Sequence, residues 1–207
     1  MLNVIEQLND DLSRVIEGVW RSLVQIRNGV GTGAGTVWHS DGLIVTNAHV
    51  LGARGLSVVL SDGRALPARV LAADRAHDVA ALAVDVSGLP TISLGDSRRL
   101  TPGQWVIAVG HPWGVTGAAT AGIVTGAGRA LAEMPGPDRE WIATDLHLRP
   151  GHSGGPLVDS GGHLVGINTI MAGPNVGLAV PTHVIVRFLH QALGSRASAD
   201  GSTVRAA

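Results

Sequence analysis

A change in hydrophobic period divides this chain and limits its fold. After residue 21 the apolar residues stop recurring at helical spacing and fall into short runs that end in turn-forming residues. Asp41-Gly42 and Asp62-Gly63 supply two hairpin signals between such runs. Strands are predicted at 22–27, 34–39, 43–46, 56–60, 65–73 and 79–84, and again at 105–109, 120–125, 141–144, 155–158, 164–169 and 176–180. Twelve short strands in two groups predict an all-β fold of two six-stranded antiparallel barrels.

Helical periodicity appears only at the two ends. Residues 1–20 carry an amphipathic stripe, which packs either on the core or on another subunit. Pro181 opens a second helix, and Gly194 is expected to end it. We therefore predict one folded unit over 1–195, with a first barrel over 21–95 and a second barrel plus helix over 96–195. The small, polar segment 196–207 is expected to be a disordered tail.

Composition excludes several classes of protein. The net charge is −1, so no electrostatic footprint for nucleic acid is present. With 0 cysteines the chain has no disulfide, thiolate nucleophile or zinc–thiolate site. Acidic residues interrupt the N-terminal segment, which predicts neither a signal peptide nor a membrane span. If the chain is complete, a cytoplasmic location is expected.

The strongest chemical motif is the segment Gly151-His152-Ser153-Gly154-Gly155-Pro156. A serine hydroxyl becomes a nucleophile when a base takes its proton, and backbone N–H groups must then stabilise the oxyanion. Glycines on both sides of Ser153 allow the open turn that this needs. The alternative is an ordinary glycine-rich turn before a strand.

A base and an orienting acid stand in suitable places. His49 follows Thr46-Asn47-Ala48 at the end of an apolar strand, and Asp78 directly precedes another one. Taken alone, each could be an ordinary surface or turn residue. The chain order His, Asp, Ser is nevertheless that of one known catalytic triad and differs from the order in α/β-hydrolases. His49, Asp78 and Ser153 are therefore the candidate catalytic residues.

These motifs together resemble the HtrA/DegP-type branch of the trypsin-like serine proteases. The similarity extends from about Val19 to Leu193. It rests on the segments 31–35, 45–50, 78–82, 94–97, 109–114, 122–125, 144–145, 151–157 and 166–169. The resemblance implies two perpendicular barrels with His49 and Asp78 on the first and Ser153 on the second. It also implies an oxyanion hole formed by the backbone N–H groups of Gly151 and Ser153.

The chain departs from the pattern of that family in three respects. The family usually carries a PDZ domain after the protease domain, and none is expected within these 207 residues. His152 replaces the family's usual Asn. In the digestive trypsin-like enzymes an acidic residue at this place pairs with a new N-terminal amine, and a histidine cannot form that ion pair. Activation by loop ordering is therefore expected. Pro150 stands where the family often has a basic residue and is expected to stiffen the loop.

The resemblance also locates the primary substrate pocket. His147, Thr169, Ile170, Met171 and Gly177 are expected to line it, with no acidic residue at its base. Cleavage after small or medium aliphatic residues is therefore predicted. The histidines show no usual zinc spacing, so no metal and no cofactor are expected, and His111 and His152 are interpreted as solvated loop or subsite residues.

The leading functional hypothesis is a serine endopeptidase that acts on unfolded or extended proteins through an acyl-enzyme. Its expected partners are protein or peptide substrates, with neither nucleic acid nor membrane, and homo-oligomers are expected because members of the family form trimers. A role in protein quality control is implied by the same resemblance. The alternative hypothesis is a peptide-binding or chaperone-like module on the protease fold.

Overall fold

The computed structural model describes residues 2–29, 31–52, 55–129, 139–173 and 175–199. Two closed antiparallel barrels of six strands each form the body of the protein, as predicted. The first barrel contains β1 (Leu23–Arg27), β2 (Thr32–His39), β3 (Leu43–Thr46), β4 (Ser57–Val59), β5 (Ala65–Asp74) and β6 (Val79–Val84). Its strands close in the order β1-β2-β3-β6-β5-β4.

The second barrel repeats this architecture. It contains β7 (Trp105–Gly110), β8 (Ala118–Gly128), β9 (Trp141–Thr144), β10 (Pro156–Asp159), β11 (Leu164–Gly173) and β12 (Val176–Pro181). Its strands close in the order β7-β8-β9-β12-β11-β10. Closure leaves neither sheet with a free edge along its length, since every strand pairs on both sides.

Tight turns at glycines make the short hairpins feasible. Gly42 connects β2 to β3 with φ 85°, and a Cβ atom built there would lie 2.1 Å from the carbonyl oxygen of Val84. Any other residue at this position would meet both backbone strain and a steric clash. The Asp41-Gly42 signal in the sequence therefore marks a turn that is closed by contact with the end of β6.

Apolar side chains fill each barrel and also join the two barrels. One interface cluster brings Val45 and Val79 of the first barrel against Ile167 and Val180 of the second. On another side Ala34 packs with strand residues of the second barrel. Residues of the first barrel therefore pack against residues of the second in two apolar clusters, which give the loops between the barrels a rigid support.

The two terminal helices cover these interface clusters. Helix α1 (Leu2–Trp20) buries Val19 against β7 and leaves the apolar side chains of its first turns exposed. Helix α2 (Thr182–Ala199) packs Val184, Ile185 and Phe188 against the other cluster. Neither helix combines the length and apolar character needed to span a bilayer, within the residues described.

Two sequence predictions about the ends need correction. Gly194 does not end α2, which continues to Ala199 and so enters the segment predicted to be disordered. Gly194 lacks the positive φ that ends helices at glycine, and a helical glycine costs only about 1 kcal/mol relative to alanine. Residues 200–207 lie outside the described residues.

Candidate active site

Local structure holds the candidate base and acid on the first barrel. His49 sits in a single 3-10 turn, Ala48–Val50, directly after β3. Asp78 stands before β6 in a left-handed backbone conformation with φ 54°. The side chain of Asn47 donates through Nδ2 to the Asp78 carbonyl oxygen at 2.9 Å. This bond joins the two loops and compensates for the unusual backbone conformation of Asp78.

The carboxylate of Asp78 is fixed against the imidazole of His49. The His49 Nδ1 atom lies 2.8 Å from Asp78 Oδ2 and 3.0 Å from Oδ1. The His49 backbone N–H also donates to Oδ1 at 3.0 Å. Because an ionised carboxylate only accepts, Nδ1 must carry the proton, which leaves Nε2 as the free base.

The electrostatic environment keeps Asp78 ionised. Burial acts to raise the pKa of this carboxyl, but hydrogen bonds from His49 and Thr169 outweigh burial, and the pKa of Asp78 lies below its ordinary value. The imidazole itself is 43% exposed. A largely covered carboxylate next to a more exposed imidazole is an arrangement that suits a general base.

Ser153 occupies a turn anchored to both barrels. Its carbonyl oxygen accepts from the backbone N–H of Ala34 in β2 at 2.8 Å, and the next residue, Gly154, donates to Asn168 in β11 at 2.8 Å. The Ser153 hydroxyl donates to the carbonyl oxygen of Thr169 at 2.8 Å. No hydrogen bond joins Ser153 to His49 in the described residues, so the hydroxyl stands in a conformation turned toward β11.

Thr169 contacts both the acid and the nucleophile. Its hydroxyl donates to Asp78 Oδ2, while its carbonyl oxygen accepts from Ser153 Oγ. The sequence placed Thr169 only in the wall of the substrate pocket. The structure shows that its side chain is directed to the catalytic carboxylate, a contact that crosses from the second barrel to the first and has no local signature in the sequence.

The backbone before Ser153 has a defined orientation. The Pro150 carbonyl oxygen accepts from the Trp113 N–H at 3.1 Å, and the Gly151 carbonyl oxygen accepts from the His111 N–H at 2.9 Å. In a trans peptide the N–H points away from the carbonyl, so the Gly151 N–H is directed away from Trp113. Within the described residues, the N–H groups of Gly151 and Ser153 have no acceptor.

Glycine is required at position 151. Its φ is 104°, and a Cβ atom there would lie 2.2 Å from the His111 carbonyl oxygen. Such strain and contact allow no other residue at this point. The Gly-x-Ser spacing therefore encodes a backbone shape rather than a side-chain contact.

Two histidines lie beneath this loop, and the expectation that they are solvated is wrong. His111 and His152 are buried. The Nε2 atom of His152 has no hydrogen-bond partner among the described residues. Burial lowers the pKa of His111 and outweighs a hydrogen bond to the Val24 backbone, which acts to raise it. Burial likewise lowers the pKa of His152. Burial therefore disfavours a positive charge on either ring.

The predicted pocket residues are only partly brought together. Met171 Sδ accepts from the Leu148 N–H at 3.3 Å, and a Cβ atom on Gly177 would lie 3.1 Å from Leu148 Cγ. Leu148, which the sequence interpretation omitted, therefore joins Met171 and Gly177. His147 is exposed at the start of this loop, and the side chain of Ile170 lies outside the described residues.

A second set of the same residue types lies at the start of α2. Ser97 Oγ is 2.8 Å from His183 Nδ1, and His183 Nε2 is 2.8 Å from Glu140 Oε2. The sequence interpretation did not single out this set, because its members are far apart along the chain and follow no motif. In the described part of the chain, no three histidines or carboxylates converge as metal ligands would.

The comparisons agree with this geometry. Residues 33–167 match the family model of the trypsin-like peptidase domain. The chain therefore belongs to the trypsin-like peptidase family, as a serine protease domain of the HtrA type. Among solved structures it is similar to the HtrA-type protease AlgW with tripeptide, with a TM-score of 0.80, 30% identity, and coverage of 86% of this chain and 62% of that one.

Curated relatives point to the same branch. The putative serine protease HhoB of Synechocystis sp. is 41% identical over 73% of this chain and 38% of its own length. The probable periplasmic serine endoprotease DegP-like of Halomonas elongata is 43% identical over 77% of this chain and 34% of its own length. The chain thus spans little more than a third of these relatives.

Proposed function

We propose that this protein is an endopeptidase that cleaves extended polypeptides through an acyl-enzyme on Ser153. The observation that carries the proposal is the Asp78–His49 pair, which leaves Nε2 as an uncommitted base at the barrel seam. A rotation about the Cα–Cβ bond of Ser153 would turn its hydroxyl from Thr169 toward that base. Active sites without substrate commonly show such loose geometry.

The reaction would follow the chemistry of the triad. His49 takes the Ser153 proton, and Ser153 Oγ attacks the peptide carbonyl carbon. His49 then gives that proton to the leaving amine as the peptide bond breaks, and water hydrolyses the acyl-enzyme by the same route. Asp78 stabilises the imidazolium that forms in each step.

We assign the oxyanion hole to the N–H groups of Gly151 and Ser153. Support comes from the Pro150 carbonyl, whose bond to Trp113 turns the Gly151 N–H away from Trp113, and from the lack of acceptors for both groups in the described residues. Donors aimed where charge develops are worth about 10²- to 10³-fold each in kcat.

For the residue before the scissile bond, an aliphatic preference is proposed. Support comes from the contacts that join Met171, Leu148 and Gly177, which would form an apolar pocket wall. Selectivity in such a pocket is loose, since one methylene is worth about 1–3 kcal/mol. A peptide library in which basic residues are preferred at this position would contradict the assignment.

Self-association is proposed as well, through the exposed apolar residues Val4, Ile5 and Leu8 on the first turns of α1. Light scattering on the protein and on a variant with Ile5→Asp and Leu8→Asp tests it. A monomeric parent protein, or a double variant with the parent's mass, would refute this mode of association.

The test of the main proposal compares two serine variants on unfolded casein. Ser153→Ala should abolish cleavage, whereas Ser97→Ala, which removes the hydroxyl of the second serine–histidine set, should cleave at close to the parent rate. Equal cleavage by Ser153→Ala and the parent protein would overturn the proposal. Binding of casein without cleavage by the parent would favour the peptide-binding alternative.

A further inference from the structure

Trp113 combines three features that packing alone does not require. Its side chain is 70% exposed, its backbone is left-handed with φ 51°, and its N–H is bonded to the loop that carries Gly151. A left-handed conformation is an outlier for a bulky residue, and such strain concentrates at functional sites. We therefore ask which ligand the exposed indole of Trp113 could contact.

The surroundings of Trp113 hold the indole in place at the surface. The Arg149 guanidinium carbon lies 5.1 Å from the centre of the Trp113 ring, within the range of a cation–π contact. Val115, two residues later, is also exposed. A pre-positioned aromatic ring next to an apolar side chain offers apolar contact at little cost in side-chain entropy.

The position of this patch relative to the reaction centre defines what it would contact. The primary pocket at Met171 and Gly177 lies toward β11 and β12, on the side of Ser153 where its hydroxyl meets Thr169. The segment around Trp113 instead packs against Gly151 itself, where Pro112 Cα would be 2.9 Å from a Cβ atom on Gly151. We take a bound peptide to cross Gly151 between these two segments, with its acyl half toward Met171 and its leaving half toward Trp113.

We infer that Trp113, with Val115, forms a subsite for an apolar residue on the leaving-group side of the scissile bond. This inference rests on the proposed function. Trp113 would thereby determine specificity for the residues that follow the scissile bond. Arg149 acts as a positioning residue, since it contacts the indole and stands within the loop that leads to Gly151.

Two kinds of substrate separate this role from general catalysis. A peptidyl p-nitroanilide has no amino acid after the scissile bond, whereas peptides with the same acyl sequence can carry Leu or Gly in the next two positions. The parent protein should prefer the Leu peptide to the Gly peptide by about tenfold in kcat/KM, as expected for one apolar contact of a substrate side chain. Its anilide activity provides the reference.

Variants are chosen to keep the loop conformation. Trp113→Asn removes the ring, keeps the backbone N–H that bonds to Pro150 and tolerates a left-handed backbone, and it should reduce the Leu-over-Gly preference to about twofold or less. Its anilide activity measures any separate effect on the loop. Trp113→Phe should retain most of the preference. Trp105→Ala is the matched control: that tryptophan is also exposed but lies at the far end of β7, about 16 Å along the strand from Gly110.

The outcomes distinguish this inference from the proposed function. No hydrolysis of any substrate by the parent protein would refute both. Full activity of the parent together with an unchanged preference in Trp113→Asn would overturn the subsite and leave the endopeptidase proposal standing. An equal loss on anilide and peptides would show that Trp113 only supports the oxyanion loop, and an equal effect of Trp105→Ala would show that the change is not local.

Discussion

At the seam between the barrels Ser153, His49 and Asp78 lie together, and at the start of α2 Ser97, His183 and Glu140 form a second set of the same residue types. The two sets differ in which nitrogen of the imidazole faces the acid. In the first, Nδ1 faces Asp78 and Nε2 is left for a serine hydroxyl. In the second, Nε2 faces Glu140 and Nδ1 faces the serine.

The hydrogen bonds of the second set form a closed network. The backbone N–H of His183 donates to Ser97 Oγ at 3.1 Å, and Glu140 requires the proton on Nε2. Nδ1 is then an acceptor, and the Ser97 hydroxyl donates to it. Each group has its partner, and Ser97 is only 4% exposed. This set connects the 3-10 turn at Ser97–Arg99 to the start of α2.

This comparison supports our proposal that the first set is the catalytic one. That set is distinguished by an incomplete network: a base nitrogen without a required partner, a serine whose hydroxyl bonds to one carbonyl, and backbone N–H groups without acceptors among the described residues. Unmet hydrogen-bonding capacity at an accessible surface is expected of a reactive set, and complete satisfaction is expected of a structural one.

The largest expected difference between the two sets is in how much kcat falls when the acid of each set is replaced by its amide. Asp78→Asn should lower kcat by about 10⁴-fold, because an amide N–H facing His49 favours the wrong tautomer. Glu140→Gln should leave kcat within about twofold, since it acts only at a structural network. Steady-state kinetics on the anilide measures both. A comparable loss in the two variants would mean that the second set also supports the reaction.

A smaller effect is expected from the contact that joins the barrels. Thr169→Val removes the hydroxyl that donates to Asp78, and kcat should fall about tenfold because bonds to charged groups contribute about 1.5–3 kcal/mol. KM should stay within about twofold if Thr169 positions the acid rather than the substrate.

Thr169→Ser is the control for this prediction, because it keeps the donor and should restore most of kcat. If the loss appeared in KM instead, and serine did not rescue it, Thr169 would belong to the pocket wall as the sequence alone predicted.

The two serines should also differ, in the opposite order, in their effect on thermal stability. Ser97→Ala removes the hydroxyl that accepts from the α2 backbone and should cost about 1 kcal/mol, or about 2–4 °C in Tm. Ser153→Ala removes a hydroxyl that bonds to one carbonyl and should change Tm by less than about 1 °C. Thermal melts monitored by circular dichroism decide, and a reversed order would contradict the assignment of the two sets.

The smallest expected effect is the contribution of Glu140 to folding stability at acidic pH. Hydrogen bonding from His183 lowers the pKa of Glu140 below its ordinary value of 4.5. The unfolded chain therefore binds more protons than the folded one in that range, so this stabilisation is present above pH 4.5 and is lost as the pH falls through the folded pKa. Glu140→Gln should flatten this part of the stability curve. Urea titrations at a series of pH values test it, and an unchanged slope would count against a stabilising role for the carboxylate.

The sequence predicted the strands well where local pattern and pairing coincide. The bounds of β3, β6 and β9 match the predicted runs. β8 is longer than its apolar run because its first half pairs with β7 and its second half with β9, so small residues such as Ala118 and Gly128 enter the strand through pairing alone. Period-2 patterns report burial and cannot detect such extensions.

The candidate site residues also differ in how far the sequence could indicate them. His49, Asp78 and Ser153 could be nominated because each sits in a local motif, and the structure places His49 against Asp78. The burial of His152, the contact of Thr169 with Asp78 and the exposure of Trp113 could not, because each depends on segments remote in sequence.

By itself, the sequence determined the two groups of strands and the glycine turns, and it nominated the candidate reactive side chains, since hydrophobic period, positive-φ positions and chain order are local properties. Only the tertiary structure decided which nitrogen of each histidine faces an acid, which serine keeps unmet hydrogen-bonding capacity and which tryptophan lies beside the oxyanion loop. Those are properties of two barrels packed against each other, and the hydrogen bonds that settle them cross the seam between the barrels or close loops that are distant along the chain.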